Sequence, residues 1–290
     1  MIRVAILVPA PDYPEQWDWA FDVEADVLRG DGLSVEARPW TEPGDLGDFD
    51  LVMPLVTWGY HFDPPRWHAL LDGLEGERLR IANPVPLLRW NSDKRYLAEL
   101  GDKGIAVIPT RLVEALDEAA LAEARADFGD TLVIKPPVSA AADGTHKLGP
   151  DDALPEAARG RSMMVQPFLP SIADEGEYSV MLFGGRFSHS IVKRPKAGDY
   201  RVQPHLGGTE QPCAPPEGAI ALARAALAAA PAPALYARVD MVRDREGKLA
   251  IIELELIEPA LWLQHAPDGG ASFASAVRAA CSQEQPLTDR

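Results

Sequence analysis

The sequence predicts a mixed α/β (α+β) protein, and two parts of the chain lead to this prediction. The first part alternates strand and helix patterns, with a buried strand at residues 4–8, a helix at 17–29 and a second strand at 34–38. The second part, residues 237–259, has two strand patterns joined by a turn sequence, which is typical of an antiparallel hairpin. We therefore expect parallel sheet near the start of the chain and antiparallel sheet near its end.

A third strand pattern, at residues 50–56, runs directly into the loop sequence TWGYH. In open α/β sheets, ligands bind beyond the carboxyl ends of the strands. We therefore expect substrate contacts in this loop, and the candidates are Thr57, Trp58, Tyr60 and His61. The alternative is that these side chains only pack on the surface of the domain.

Two lysines in the middle of the chain stand where phosphate groups are commonly bound. Residues 91–104 predict a helix with Lys94 in its first turn, where the helix dipole disfavours a cation unless a phosphate lies nearby. Lys135 follows a short apolar strand at 132–134 and precedes a run of small residues, 136–147, whose backbone can close over phosphates as a lid. Taken alone, a solvated lysine explains Lys94 at least as well.

An apolar strand pattern that ends in the sequence QPF predicts a hinge between two parts of the molecule. Its residues Gln166, Pro167 and Phe168 are placed so that the backbone can pair with the edge of an adenine ring. An acidic loop comes next, and either Glu175 or Glu177 is then available for a ribose or for a metal ion.

A glycine turn at residues 184–185 predicts a further hairpin, which Lys193 and Arg194 close. The glycine-rich stretch after it contains Arg201 and His205. The planar guanidinium of arginine matches the oxygens of carboxylates and phosphates, so this stretch is a candidate anion clamp. The six histidines of the chain occur singly, and His61, His205 and His265 can each be a substrate contact or a polar surface residue.

The hairpin at 237–259 places four charged side chains on one face. Side chains alternate along a strand, and a turn at 244–247 would pair Asp240 with Ile251 and Arg238 with Glu253. Asp240, Glu253 and Glu255 then lie together, and three adjacent carboxylates repel one another unless a cation such as Mg²⁺ binds among them. The alternative is a solvated strand face that carries charges without a ligand.

Composition and missing motifs exclude several classes of function. The formal net charge of −16 argues against a broad nucleic-acid interface, which needs accumulated lysine and arginine. The two cysteines have no metal-type spacing and suit a reducing cytoplasm, and the apolar opening is too short to span a membrane. No GxxxxGK[ST], GxGxxG or GxSxG motif occurs in the sequence.

From residue 91 onward, the order of these parts resembles the ATP-grasp superfamily, in its branch of glutathione synthetase-like and ribosomal-protein-modifying ligases. The resemblance implies an N-terminal β/α preATP-grasp domain at 1–90, a helix and lid subdomain at 91–167, and an antiparallel catalytic subdomain at 168–290. The whole chain looks most similar to cyclo-ligases of the O-ureido-serine type.

The resemblance also implies roles for single residues. Lys94 and Lys135 would bind ATP phosphates, and residues 165–169 would hold the adenine. The metal ligands would be Asp240, Glu253 and Glu255. The catalytic cations would be Arg238, Arg201 and Lys193.

Three positions depart from the pattern of the family. Gln166 or Pro167 stands where a glutamate is common, and Glu255 replaces the asparagine of the usual E-x-N motif. In the lid, alanines at 140–142 replace the usual glycines. Because glutamate also binds Mg²⁺, we expect the change at 255 to tune the metal site without abolishing it.

The implied activity is an ATP-dependent carboxylate–amine ligase or cyclo-ligase that uses Mg²⁺ or Mn²⁺ and acts through an acyl phosphate. Its partner would be an amino-acid-like small molecule, with no nucleic acid or membrane involved. The formation of a homo-oligomer stays an open possibility. Ring closure and intermolecular ligation are both compatible with the sequence. A different class of function, a nucleotide-binding regulatory or scaffold protein without turnover, remains the alternative.

Overall fold

The computed structural model describes residues 1–77, 79–203 and 206–282, and it contains three sheets surrounded by helices. The strands are Arg3–Val8 (β1), Ser34–Pro39 (β2), Leu51–Met53 (β3), Arg111–Val113 (β4), Leu132–Lys135 (β5), His146–Leu148 (β6), Met163–Pro167 (β7), Glu177–Phe183 (β8), Arg186–Arg194 (β9), Thr209–Pro212 (β10), Tyr236–Arg243 (β11) and Leu249–Glu255 (β12). The α-helices are Asp18–Gly30 (α1), Pro64–Gly76 (α2), Val85–Asn91 (α3), Tyr96–Asp102 (α4), Glu118–Phe128 (α5), Ser171–Asp174 (α6), Ala219–Ala229 (α7) and Ala271–Ser282 (α8).

The N-terminal sheet is parallel, in the order β2-β1-β3, as the β/α pattern of the sequence predicts. Its central strand β1 is buried on both faces from Val4 to Val8, which explains why that stretch is a continuous apolar run. One face packs with α1 and α8 and the other with α2 and α3. β3 ends at Met53, so the predicted third strand is shorter than residues 50–56 and the chain turns before it reaches the TWGYH loop.

The middle sheet has four antiparallel strands in the order β4-β7-β5-β6. Its apolar face packs against α5 through Leu121 and Ala124. Lys135 ends β5, and the loop 136–145 then leads into β6.

The C-terminal sheet is antiparallel, in the order β10-β9-β8-β11-β12. One face packs on α4 and α7 through residues such as Val180 and Val239. On the other face, Met181, Phe183 and Tyr236 pack against the N-terminal sheet. The same face becomes polar toward the other end of these strands, and this polar end forms the floor of the candidate site described below.

The predicted register of the last hairpin is wrong by two residues. Asp240 pairs with Glu253 and Arg238 with Glu255. One residue of the difference comes from the turn, which has three residues between Asp244 and Lys248 and ends with Gly247 in the left-handed region at φ +78°. The other comes from a β-bulge at residue 252. Because a shift of two residues preserves the alternation of side chains, the four charged residues still share a face.

The predicted helix at 91–104 is also different in detail. α3 ends at Asn91, α4 begins at Tyr96, and Lys94 lies in the turn between them and not in a first helical turn. Asn91 does not cap a helix, because its side chain donates to the carbonyl of Leu254 and accepts from the amide of Leu256, both at 2.9 Å. This pairing fixes the lysine-bearing turn against β12.

No helix in the described part of the chain is long and apolar enough to cross a membrane.

Candidate active site

All three parts of the fold contribute residues to a cavity of about 760 Å³. The N-terminal domain contributes α1 and the loop after β3, the middle sheet contributes β5, β7 and the loop 136–145, and the C-terminal sheet contributes its polar face. A space of this size is within the usual range for small-molecule sites.

Lys94 and Lys135 lie side by side at one end of the cavity, and each is only 8% exposed. The Nζ atom of Lys94 is 3.2 Å from Glu253 Oε1 and also donates to the backbone carbonyl of Ser139. Burial lowers the pKa of Lys135, and Glu253 partly opposes this shift while Lys94 adds to it. Two adjacent buried cations favour the binding of an anion between them.

Asp240 is the most buried carboxylate of the site, with 1% of its surface exposed. Arg238 holds it through Nε and Nη2 at 3.0–3.1 Å, and Lys193 Nζ contacts Oδ2 at 3.0 Å. Burial opposes the ionisation of Asp240, but the charges of Arg238 and Lys193 outweigh it and hold the pKa of this carboxyl below its ordinary value. Asp240 is therefore an anion in a fixed orientation.

The other two predicted metal ligands are more accessible. The side chains of Glu253 and Glu255 are 28% and 25% exposed and face the cavity. Burial opposes the ionisation of Glu253, and Lys94 and Lys135 outweigh it, so that its pKa is lowered. Burial raises the pKa of Glu255 to about 8, even though Arg238 donates to this carboxyl.

The carboxylates of Asp240, Glu253 and Glu255 are each paired with a lysine or arginine. In these positions, no group of three or more His, Cys, Asp or Glu residues in the described ranges is arranged to hold a metal ion. Chemically, their oxygens are the hard ligands that Mg²⁺ prefers, and the two glutamates face open space, so the residues fit a magnesium ion once their cationic partners turn to phosphate.

The predicted hinge borders an apolar part of the cavity. Its walls include Ile108, Leu169, Ile172, Val202 and Ile252. The bulge described above places Ile252 on this wall directly beside Glu253 on the polar floor. An apolar slot next to two buried lysines suits a flat aromatic base with attached phosphates.

The hinge residues Gln166, Pro167 and Phe168 all line the cavity. The Gln166 side chain donates to Thr110 Oγ1 at 2.9 Å, and the Phe168 amide donates to the carbonyl of Thr131 at 3.0 Å. The Phe168 amide and one N–H of the Gln166 side chain are therefore already used within the protein.

The two acidic candidates after the hinge are in different environments. Glu175 pairs with Arg243 at 2.9 Å and is not among the described residues that line the cavity. Glu177 lines the cavity and pairs with Lys193, directly opposite it on β9. The structure therefore brings Glu177 to the other site residues and leaves Glu175 outside.

The predicted substrate contacts also divide. Trp58, Tyr60 and His61 line the cavity, whereas Thr57 is fully buried outside it and donates to the carbonyl of Pro54 at 3.2 Å. Thr57 turns inward because the chain reverses immediately after β3. His205 lies outside the described residues.

Arg201 lines the cavity near the hinge, and its guanidinium pairs with Asp199 at 3.0 Å. Asp199 also accepts the backbone amides of Tyr200 and Arg201, at 2.7 and 3.0 Å. The candidate anion clamp is therefore already occupied by a neighbouring carboxylate.

The loop 136–145 covers the lysine end of the cavity. The Lys94 amide donates to the carbonyl of Pro137 at 2.8 Å, which joins the loop to the turn before α4. Ala141 and Ala142 have φ angles of +51° and +63°, a region that favours glycine, so the alanines that replace the usual glycines adopt glycine-like conformations.

Four site residues escaped prediction, namely Glu24, Ser179, Glu258 and Trp262. Ser179 on β8 is fully buried and donates to Asp240 Oδ1 at 2.5 Å. The ring of Trp262 lies 4.9 Å from the guanidinium carbon of Arg238. Trp262 and Glu258 belong to the apolar stretch after β12, where the only available sequence signal was their closeness to the metal-type carboxylates.

The Ser179 contact leads to a prediction. Ser179→Ala removes one of the hydrogen bonds that Asp240 accepts. We therefore expect turnover to fall about tenfold and the free energy of unfolding to fall by about 1 kcal/mol. Steady-state kinetics and urea unfolding check both numbers. Ser190→Ala is the matched control, because Ser190 lies on the neighbouring strand and donates to the carbonyl of Cys213, not to Asp240. Equal losses in the two variants would contradict a specific role for Ser179.

Known proteins with related sequences and structures indicate the family of the chain. Residues 4–83 match the family model described as the D-cycloserine synthetase DcsG, N-terminal domain. The chain is 30% identical over 295 residues to the cycloserine biosynthesis protein DcsG of Streptomyces lavendulae, covering 94% of this chain and 97% of that protein.

Two solved structures extend the comparison. The crystal structure of D-cycloserine synthetase DcsG superposes with a TM-score of 0.81 at 28% identity, and the match covers 97% of this chain and all of that one. A D-alanine–D-alanine ligase from Bacillus anthracis complexed with ATP superposes with a TM-score of 0.69 at 16% identity, over 97% of each chain. The second similarity shows a shared fold.

Proposed function

Because the chain belongs to the family of ATP-grasp ligases that includes the cycloserine biosynthesis protein DcsG, we propose that it uses ATP and Mg²⁺ to join the carboxyl group of an amino-acid-like molecule to an amine through an acyl phosphate. The observation that carries this proposal is the single cavity wall on which two buried lysines, Lys94 and Lys135, stand beside the carboxylates of β11 and β12. A phosphate chain needs those cations, and a magnesium ion needs those carboxylates.

The lysines would bind the phosphates of ATP. Lys94 now pairs with Glu253, and Lys135 is buried at an energetic cost that its lowered pKa reflects. A triphosphate would supply the missing negative charge for both. The apolar slot beside them, lined by Leu169 and Ile252, would hold the adenine base.

Asp240, Glu253 and Glu255 would hold Mg²⁺. When bound, such an ion neutralises charge on the phosphoryl group that is transferred and orients it. Arg238 would remain between Asp240 and Glu255, to which it already donates, and would stabilise the negative charge that develops nearby.

The reaction balances without a protein nucleophile. A substrate carboxylate oxygen attacks the γ-phosphorus, the bond to the β-phosphate oxygen breaks, and ADP leaves. The amine then attacks the acyl carbon, the carbon–oxygen bond to phosphate breaks, and orthophosphate and a proton are released. If the amine belongs to the same molecule, a ring closes; if it belongs to a second molecule, two substrates are joined. The mass of the product distinguishes the two cases.

An acyl phosphate reacts with water, so the site must be covered during turnover. The loop 136–145 already contacts Lys94 through two backbone carbonyls. With ATP bound, the lysines and this loop would surround the phosphates. We place the activity in the cytoplasm, where Cys213 and Cys281, both free thiols in the structure, would stay reduced.

Closure of the lid gives a testable prediction. Hydrogen exchange in peptides covering 136–147 is expected to slow by about tenfold or more when Mg²⁺ and a non-hydrolysable ATP analogue are added, because the loop then gains phosphate contacts. Peptides covering α5, Glu118–Phe128, belong to the same part of the fold but lie away from the cavity, and they serve as the internal control. Equal exchange in 136–147 with and without the nucleotide would contradict the assignment of the lid.

The test of the proposed function is substrate-dependent release of ADP. The protein is incubated with ATP, Mg²⁺ and pools of amino acids and their derivatives, and ADP is measured by coupled assay. We expect at least one pool to raise ADP release well above the rate with ATP alone. If ATP binds but no pool raises ADP release, the chain is a nucleotide-binding protein without turnover, and the proposed function is wrong.

A further inference from the structure

Glu24 is a buried carboxyl group for which the described residues offer no hydrogen-bond or ion-pair partner. It lies on α1, whose core-facing residues Phe21, Ala25 and Leu28 are apolar, and only 5% of Glu24 is exposed. An apolar residue at this position would continue the stripe and stabilise the packing of α1. A glutamate there is a cost to folding, which points to a role outside folding.

No group in the described ranges compensates the charge of Glu24. Its Oε2 atom is buried and has no hydrogen-bond partner there, and no lysine, arginine or histidine there forms an ion pair with it. Burial alone accounts for the rise of its pKa well above the ordinary value. A ligand is therefore free to supply the partner that the described residues do not.

Glu24 lines the cavity of the candidate active site, at the end formed by the N-terminal domain. Around it, Trp19, Ala20 and Val23 of α1 form an apolar wall, and the ring of Trp58 lies 5.6 Å from that of Trp19. On α1, the buried Glu24 therefore lies among apolar side chains, and Glu15 before the helix and Glu258 also line the cavity. Lys94 and Lys135 line the same cavity.

The position of Glu24 relative to the reacting end is also informative. The helix that carries it packs in one apolar cluster with Tyr236 of β11, and the charge of Glu24 adds to the burial that raises the pKa of Tyr236, so the carboxyl lies near that residue. Arg238 follows two residues later and shares the same face of the strand, about 7 Å further along. A ligand that contacts both Glu24 and the region of Arg238 is therefore about the size of one amino acid.

We propose that Glu24 recognises the ammonium group of the substrate, so that the enzyme takes a free amino acid whose carboxyl group points toward Arg238 and the phosphates. This inference rests on the proposed function for the direction of the carboxyl group. The ammonium supplies a countercharge for Glu24, and the burial of this carboxyl strengthens the ion pair by limiting the access of water. An N-acylated amino acid has no such charge and is rejected.

Calorimetric titration without turnover tests the inference separately from the ligase activity. The protein is saturated with Mg²⁺ and β,γ-methylene-ATP and titrated with alanine, serine and threonine in both D and L forms, and with the N-acetyl derivative of each. At least one free amino acid is expected to bind, and its N-acetyl derivative is expected to bind at least about tenfold more weakly. This comparison uses the unaltered protein and does not depend on whether a variant folds.

Two variants complete the test. Glu24→Gln keeps the shape of the side chain. It is expected to weaken the binding of the same amino acid at least about tenfold and to leave the affinity for the ATP analogue unchanged. Asp22→Asn, a matched change on the exposed side of α1, is expected to behave as the unaltered protein.

Equal affinity for free and N-acetylated amino acids, equal affinity of Glu24→Gln and the unaltered protein, or binding of none of the six amino acids would each overturn the inference. Failure of the proposed function has a different signature. In that case amino acids bind in a Glu24-dependent manner, but no ADP is released with ATP. Conversely, ADP release that is equally fast with Glu24→Gln leaves the ligase activity standing and removes Glu24 from recognition.

Discussion

Glu253→Gln is expected to lower substrate-dependent ADP release by on the order of a hundredfold to a thousandfold, the range found when a single charge-stabilising group is removed from an active site. Glutamine keeps the shape of the side chain but removes the anionic ligand that a magnesium ion would need. Glu253 is partly exposed and its partner Lys94 keeps a second contact with Ser139, so the free energy of unfolding should change by less than about 1 kcal/mol. Steady-state kinetics at limiting Mg²⁺ and thermal unfolding measure the two effects.

The matched control for this variant is Glu246→Gln. Glu246 belongs to the same hairpin, is exposed, and pairs only with the exposed Lys248 in the described structure. Its replacement should leave turnover unchanged. Asp240→Asn should also abolish most of the turnover, but with a loss of stability as well, because Asp240 is buried between Arg238 and Lys193. Near-normal turnover of both site variants would show that the carboxylates do not serve the reaction.

Lys135→Ala is expected to raise the dissociation constant for ATP by on the order of tenfold to a hundredfold, because a charge-assisted hydrogen bond in a buried site is lost. The lysine is 8% exposed, so water has poor access to replace it. Without nucleotide, removal of this buried cation beside Lys94 should cost little stability, since the two lysines repel each other. Calorimetric titration with the non-hydrolysable analogue gives the affinity directly.

Lys248→Ala controls for the loss of a positive charge from a very acidic protein, because Lys248 is exposed and lies outside the cavity. Its affinity for the nucleotide should equal that of the unaltered protein. If Lys135→Ala also binds with unchanged affinity while folded, the phosphates lie elsewhere.

The fold was predictable where one physical rule dominates the sequence. Strands buried on both faces are continuous apolar runs, and this property identified β1 and the parallel sheet. The register of the last hairpin was not predictable, because a bulge at Ile252 has no signature in the side chains and the turn length depends on the conformation of Gly247. We retain, as a proposal, the division into domains at 1–90, 91–167 and 168–290.

The charged part of the site could largely be predicted from the sequence. Alternation along a strand is insensitive to a shift of two residues, so Arg238, Asp240, Glu253 and Glu255 were expected on one face and are found there. The predicted membership of the ATP-grasp superfamily is confirmed. The roles of Arg238, Asp240, Glu253 and Glu255 toward ATP and a metal ion remain proposals.

Other parts of the site depend on tertiary contacts that no local pattern encodes. Glu175 and Glu177 are two residues apart, but only the second faces the cavity, because the first follows α6 and reaches Arg243. Ser179 gains importance only because β8 pairs with β11 opposite Asp240. Glu24 had one available signal, a charged residue on the apolar stripe of α1.

Isotope transfer from the substrate to phosphate tests the central claim most directly. The amino acid that stimulates ADP release is labelled with ¹⁸O at both oxygens of its carboxyl group, and the orthophosphate formed is analysed by mass spectrometry or by ³¹P NMR. Formation of an acyl phosphate predicts one ¹⁸O atom in each orthophosphate, and ADP in equal amount. Label found in AMP, with release of pyrophosphate, or orthophosphate without label, would contradict activation of the carboxyl group by the γ-phosphate.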